Sequence, residues 1–308
     1  MKVVVTGATG YVGTPLVAAL VARGDTVTVL SRNADRATAA LHVPAVTADL
    51  ETPGPWAAAL AHTDAIIHLA GESVAGKRWD ARQKQIIRDS RVEATRGLVE
   101  AIAALPAGER PRVLISASGV DYYPYAHEPL DDDEVTEADP PAESFLGRVC
   151  RDWEREARAA EALGVRVCCL RTGVVVGPHG PVEKMATPFK AFVGGRIGHG
   201  RQWLSWISLA DIVALFLTAL DTPAYTGPIN AVAASTRNAD FATALGHAVH
   251  RPSWLPVPAF ALKLAVGEFA EVLLHGRRVI PARLDELKFV FRHATLATAL
   301  AAAAAAEH

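Results

Sequence analysis

The chain has 308 residues, 50% of them hydrophobic, and its 31 basic and 33 acidic residues leave a formal net charge of -2. That composition supports a substantial core but not the broad positive field of a nucleic-acid binder, and three cysteines without a CxxC pair suggest neither a disulfide framework nor a metal-ligand spacing. No stretch offers about 18 clean apolar residues for a membrane span, and the first residues run into a glycine turn without a cleavable leader, so a cytoplasmic protein with no membrane or nucleic-acid partner is expected. In chain order, Lys2 to Thr6 is a β-prone run, the glycines of 7–13 follow, Pro15 to Arg23 suits a helix, and Thr26 to Leu30 is again β-prone. Further strands are expected at Ala65 to Leu69, Arg112 to Ser116 and Val165 to Leu170, alternating with helical stretches at Asp80 to Leu105 and Phe145 to Ala162. This alternation predicts an α/β fold, a Rossmann-like doubly wound parallel sheet. After Val176 the Gly-Pro pairs at 177–178 and 180–181 interrupt the chain, a helix is expected through Phe192, and glycines at 194, 195, 198 and 200 mark a flexible region. Ile207 to Leu220 looks helical, Ile229 to Val232 returns as a strand, and Trp254 to Pro258 is expected to pack as an ordered apolar loop.

A doubly wound sheet places ligands at the carboxyl ends of its strands, which would bring Gly7, Ser31, Asp49, Gly71, Ser116 and Arg171 to one crevice. The Gly7-Ala8-Thr9-Gly10-Tyr11-Val12-Gly13 turn, between a strand and a helix, lets backbone approach a pyrophosphate and supplies N–H donors from a helix start. At the end of the second strand, Ser31-Arg32 lacks the acidic residue that pairs with the ribose hydroxyls of NAD, whereas Arg32 suits the additional phosphate of NADP. Asp49 and Leu50 either line an adenine pocket, as acceptor and apolar wall, or form a charged loop beside a core residue. Leu69, Ala70 and Gly71 are expected to bring small backbone groups beside the dinucleotide, with His68 structural. Residues 1–176 and about 203–233 would then form a dinucleotide-binding domain, and about 177–202 with 234–308 a small C-terminal substrate lobe.

With these features in place, the chain resembles the extended or atypical short-chain dehydrogenase/reductase superfamily, and more closely its NAD-dependent epimerase/dehydratase-like, epimerase-family branch. The resemblance spans nearly the whole chain and is carried by Gly7 to Gly13, Leu69-Ala70-Gly71-Glu72 with Gly76-Lys77-Arg78-Trp79, Ser90-Arg91, Trp153-Glu154, Leu170 to Val175, and Gly198 to Asp211. It implies an NADP(H) site with Tyr11, Val12, Ser31 and Arg32 among its residues. The coenzyme contacts expected from motif and resemblance together are Gly7, Thr9, Gly10, Tyr11, Val12, Gly13, Ser31, Arg32, Asp49, Leu50, Leu69, Ala70, Gly71, Glu72, Ser90, Ser116 and Arg171.

The superfamily's Ser/Tyr/Lys group works through a hydroxyl on the reacting oxygen, a phenol that exchanges the proton and a cation that favours the phenolate. Ser118 matches the hydroxyl position. The helix that should carry Tyr-x-x-x-Lys instead reads Phe145-Leu146-Gly147-Arg148-Val149, and neither Phe145 nor Val149 can exchange a proton. Tyr122 or Tyr123 offers another phenol, and Glu72 another acid or base. Lys77 and Arg78 are expected to hold an anionic substrate that Trp79 covers, with His199, Arg201, Gln202 and Trp203 narrowing the opposite wall. Asp211 is expected to cap its helix or hold a loop, Cys150 is expected to be buried, and no metal site is expected. The leading expectation is an NADP-dependent oxidoreductase or nucleotide-sugar-epimerase-like enzyme acting on a small polar carbonyl or alcohol; the alternative is a redox-silent NADP-binding regulatory or interaction protein. A homo-oligomer is compatible with either.

Overall fold

The computed structural model describes residues 1–125 and 132–305. Its strands are β1 (Lys2–Thr6), β2 (Thr26–Ser31), β3 (Ala45–Thr47), β4 (Ala65–His68), β5 (Val113–Gly119), β6 (Glu134–Val135), β7 (Arg166–Thr172), β8 (Val174–Val176), β9 (Trp203–Ser208), β10 (Gly227–Ala231), β11 (Ala234–Arg237) and β12 (Arg278–Val279). Seven of them form one parallel sheet in the order β10-β7-β5-β4-β1-β2-β3. Both faces of this sheet are covered, which is why β1 and β4 read as continuous apolar runs instead of alternating. Val3, Val5, Ile67 and Ile115 join a core with the Gly13–Ala22 and Leu209–Asp221 helices; Val4, Ile66 and Leu114 join another with the Val92–Ala104 and Phe145–Arg158 helices. Each fully buried Val or Ile contributes about 1.5–3 kcal/mol relative to exposure. Strand order reverses between β1 and β4, so the crevice that such a fold offers a ligand opens beside the glycine turn.

Three expectations change. The helical stretch at Asp80 to Leu105 is two helices, Ala81–Asp89 and Val92–Ala104. They part where the Ser90 hydroxyl donates to Ile87 O while accepting the Glu72 amide, and where the Arg91 guanidinium donates to Ile87 O and Glu72 O. The region expected to be helical from Ile207 is strand β9 up to Ser208, whose hydroxyl then caps the Leu209–Asp221 helix. Trp254 is 65% exposed, because the prolines around it fix the backbone but no layer covers it.

A second, three-stranded sheet, β11-β9-β8, draws on segments before residue 177, between 203 and 233, and after 233. The expected domain division therefore runs through a hydrogen-bonded sheet. Asp211 clamps the later chain to it: one carboxylate oxygen accepts the Arg292 amide at 2.6 Å, the other the His293 amide at 3.1 Å and the Ser208 hydroxyl at 2.6 Å. Among the described residues no helix is long and apolar enough to cross a membrane.

Candidate functional site

The turn after β1 is built by steric exclusion. Gly7 has φ +66°, and a Cβ there would stand 2.6 Å from the Leu69 carbonyl carbon; a Cβ on Gly13 would stand 2.4 Å from Gly7 O. Glycine is thus required at both places, one to turn the chain against the end of β4, the other to let the Gly13–Ala22 helix start beneath the turn. Gly10 N–H closes the loop on Gly7 O at 3.0 Å, and Val12 at the N-cap supplies no side-chain cap. Thr14 N–H is taken by Gly10 O and residue 15 is proline, so the helix-start donors left for an anion are the amides of Tyr11, Val12 and Gly13. Tyr11 contributes backbone to this turn, while its ring is packed against Gly177 and Gly180 of the loop after β8. Its phenol has no hydrogen-bond partner among the described residues, and burial, then the Glu183 charge, pushes it up to about 12.

Ser31 ends β2 with its hydroxyl exchanging hydrogen bonds with the backbone of Asn33, which in turn caps the Ala34–Leu41 helix by accepting the Arg36 amide at 2.9 Å. Arg32 is exposed beside this cap, and Arg36, also exposed, follows one helical turn later. Sequence reasoning missed Arg36; the Asn-x-x-Arg spacing after the strand was the signal for it. Asp49 is exposed and accepts the Glu51 amide, whereas Leu50 is buried with its carbonyl pressed against Gly97.

His68, fully buried, links β1 to the Val92–Ala104 helix through Thr6 at 2.7 Å and Thr95 at 2.9 Å, and burial pushes its pKa down to about 4. The expected structural role matches this geometry. Next to it Ala70 N–H donates to Thr6 Oγ1, and Gly71 lies against the Arg91 guanidinium. Ser90 holds the backbone of Glu72, as described above, and the Glu72 carboxylate stands near Arg91.

The ends of β5 and β7 depart from expectation. Ser118 donates to Glu154 Oε1 at 2.6 Å; Arg171 grips both oxygens of Glu154 at 2.8 Å and donates to the Tyr123 hydroxyl at 2.7 Å; Tyr123 donates to Asn230 Oδ1 at 2.7 Å. All five side chains are buried, with Tyr123 1% and Arg171 2% exposed. The polar atoms of Ser118, Tyr123 and Arg171, expected in catalysis and coenzyme binding, are thus engaged with one another inside the protein. The Tyr122 ring lies under the Arg171 guanidinium at 3.4 Å to the ring centroid. Ser116 is fully buried and donates to the backbone carbonyl of Ala117.

Phe145 packs edge-on against Trp79 at 5.3 Å. One residue along the Phe145–Arg158 helix, Leu146 and Cys150 also stand four apart, and Cys150 is the side chain that reaches β5, against Gly119. Its thiol is pushed up to about 12 by burial, then by Asp121 and Glu154. Asp121, just beyond β5, faces Gly119 and interacts with Arg91. Burial raises its carboxyl to about 6, against the opposing pull of Arg91. Arg91, Asp121 and Cys150 thus meet at the far end of the crevice, a group that no periodicity or spacing in the sequence exposes.

On the small-lobe side, Trp79 is 8% exposed, its indole N–H donates to Val74 O, and Phe145 and Phe269 flank it. Trp79, expected to cover a substrate, packs between these two rings. The Arg78 guanidinium donates to Leu264 O, tying the 72–79 loop to the lobe, and both Lys77 and Arg78 are exposed. Gln202 is buried and braces the loop, donating to Ile197 O and Leu273 O. His199 and Arg201 are exposed, Arg237 stacks on Trp203 at 3.9 Å, and His199 is held down by burial and then by His275, Arg201, Arg196 and Arg237. These cations form one basic cluster. Tyr125, stacked on His275 at 5.6 Å, connects it to Asp121 and Cys150.

Comparison with known proteins agrees with this geometry. Residues 3–232 match the model of the NAD dependent epimerase/dehydratase family, and residues 257–303 match a domain of unknown function, DUF1731. The chloroplastic SDR39U1 homolog of Arabidopsis thaliana, an epimerase family protein, is 39% identical over 307 residues, covering 98% of this chain and 86% of the relative. Epimerase family protein YfhF of Bacillus subtilis is 36% identical, covering 97% of each chain. The crystal structure of human epimerase family protein SDR39U1 with NADPH superposes with a TM-score of 0.82 at 31% identity, covering 99% of each chain.

Proposed function

Since the chain belongs to the NAD dependent epimerase/dehydratase family, we propose that it is an NADP(H)-dependent oxidoreductase or transient-oxidation epimerase acting on a small polar carbonyl or alcohol. The carrying observation is the pairing of the glycine turn with Arg32 and Arg36 at the end of β2. A cradle that a Cβ at Gly7 or Gly13 would fill, facing uncapped helix-start amides, suits a pyrophosphate. Two exposed guanidiniums beside Ser31 suit a phosphate on the adjoining ribose better than its bare hydroxyls. The NADPH-bound human relative supports the same coenzyme. When bound, the coenzyme supplies hydride chemistry; the chain's own residues orient it and handle the substrate.

Thr9, Gly10 and the amides of Tyr11 and Val12 line the pyrophosphate side, Leu69, Ala70 and Gly71 pass beneath the dinucleotide, and Glu72 and Ser90 shape the end of β4. The small lobe contributes substrate recognition: His199 and Arg201, with Lys77 across the opening, offer positive charge to an anionic group on the substrate. One observation favours a second reading, a redox-silent NADP-binding protein: Phe145, Leu146, Val149 and Cys150 leave the usual catalytic helix without a phenol or ammonium.

Fluorescence titration at matched ionic strength tests the coenzyme assignment. NADPH should bind roughly 10- to 100-fold more tightly than NADH, the range of one or two charge-assisted contacts, and Arg32→Ala should bring the two affinities together. Equal affinities in the unmodified protein would remove the role given to Arg32. Stereospecifically deuterated NADPH offered with a metabolite mixture then separates an enzyme, which transfers or washes out label, from the redox-silent reading.

A further inference from the structure

We propose that Asp121 is the group that gives and takes the proton at the reacting oxygen, in place of the missing phenol, with Arg91 as its fixed counter-charge; this deepens, and rests on, the NADP(H)-dependent reading above. Position carries the argument. Asp121 stands two residues beyond β5, one of the two strands that flank the far end of the crevice, and its carboxylate lies beside Gly119, next to the Cys150 thiol. Arg91 reaches the same place from the other strand: its guanidinium lies against Gly71 and donates to Glu72 O, immediately beyond β4. The two side chains therefore meet at the sheet edge where a dinucleotide seated on the glycine turn and on Leu69 to Gly71 presents its reactive ring.

Of the neighbouring candidates, Ser118, Tyr123, Glu154 and Arg171 bond one another in the interior. The Tyr122 ring stacks on the Arg171 guanidinium on the β7 side, whereas Asp121 interacts with Arg91 on the β4 side. Among the groups around Asp121, the Arg91 guanidinium faces it from the start of the Val92–Ala104 helix, Cys150 from the Phe145–Arg158 helix and Tyr125 from its own loop, while Glu72 faces Arg91 from the β4 side. Burial pushes both Cys150 and Tyr125 up, beyond the range in which either exchanges a proton at neutral pH. The carboxyl of Asp121, held at about 6, lies within it.

The step balances. A hydride pair from reduced nicotinamide forms the new C–H bond at the carbonyl carbon, the C=O π pair moves to oxygen, and oxygen takes the proton of the Asp121 carboxyl. The products are an alcohol, oxidised coenzyme and an Asp121 carboxylate beside Arg91, which solvent reprotonates. In the oxidative direction the carboxylate accepts the hydroxyl proton.

The test requires no substrate. The infrared C=O band of a protonated carboxylic acid, taken as the difference between unmodified protein and Asp121→Asn, should disappear as pH rises through about 6. Arg91→Gln should move that midpoint upward by removing the opposing cation. Saturating NADP⁺ should lower the midpoint by about one unit relative to NADPH, because only the oxidised ring carries a positive charge near the carboxyl. Absence of the difference band, or one midpoint for both coenzyme forms when fluorescence shows both bound, would overturn the proposal. Failure of both forms to bind would instead overturn the coenzyme reading, and Asp121's assignment with it.

Discussion

The turn after β1 and the ends of β5 and β7 lie along the same edge of one parallel sheet, yet they treat polar groups in opposite ways. In the turn, Gly7 and Gly13 make room for backbone and Val12 leaves the helix start uncapped, so donors face outward. At β5 and β7, Ser118, Glu154, Arg171, Tyr123 and Asn230 satisfy one another and face inward. The difference separates two properties that a strand-end motif does not distinguish: standing at the crevice, and having polar atoms left over for a ligand. A buried guanidinium needs its carboxylate, because desolvation would otherwise dominate, whereas a helix-start amide half exposed to water tolerates waiting for an anion.

The largest expected effect comes from opening the inward network. Arg171→Met leaves the Glu154 carboxylate buried without its cation and should cost about 3–5 kcal/mol in urea unfolding, whereas adding Glu154→Leu should recover a large part of that loss. Coenzyme affinity per folded molecule should change little in the double variant. A selective loss of coenzyme affinity with stability intact would return Arg171 to the binding site and dissolve the contrast. A smaller loss of stability, about 1–3 kcal/mol, is expected from Gly13→Ala, whose Cβ would meet Gly7 O and Ala8 Cα, backbone atoms that cannot swing aside. Here NADPH affinity should fall at least about tenfold, corresponding to roughly 1.4 kcal/mol, because the displaced turn is the cradle itself. Unchanged affinity would separate the glycine turn from coenzyme binding.

The same contrast explains what was legible in the sequence. Strand β1, the glycine turn, Arg32 and the structural role of His68 follow from local features: a short apolar run, a backbone that only glycine permits, a strand terminus, a histidine in an apolar strand. The inward network does not, because its meaning depends on partners far along the chain. Ser118 and Glu154 are 36 residues apart and Tyr123 and Asn230 are 107 apart. Trp79 misled for a related reason: a polar loop around an indole looks like a ligand wall until Phe145 and Phe269 close on the ring. Asp121 carries no local signal, since its environment comes from Arg91 and Cys150 on two separate helical segments.

His68 joins the two regions and gives the smallest, and most pH-specific, expected effect. Thr95 donates its only hydroxyl proton to Arg91 O, so it must accept from His68 Nε2–H; Nδ1 is then the acceptor for the Thr6 hydroxyl, which itself receives Ala70 N–H. This relay fixes a neutral imidazole and sets Ala70 beside the turn. The folded pKa of about 4 lies below the ordinary 6.5, so the unfolded chain takes up a proton first as the solution is acidified. The resulting stabilisation is complete above about pH 6.5 and is lost progressively as pH falls toward 4. For a fully buried group it is at most on the order of 3 kcal/mol. Asp121 acts in the opposite sense: its raised folded pKa favours the folded state at low pH and loses that contribution as pH rises through about 6. Urea unfolding between pH 4 and 7 should therefore show a shallower acid slope in His68→Gln, which keeps an acceptor and a donor without a titrating ring, and a steeper one in Asp121→Asn. If His68→Gln left the slope unchanged, the imidazole would titrate alike in the folded and unfolded chain, and the neutral ring that accepts from the Thr6 hydroxyl would be ruled out.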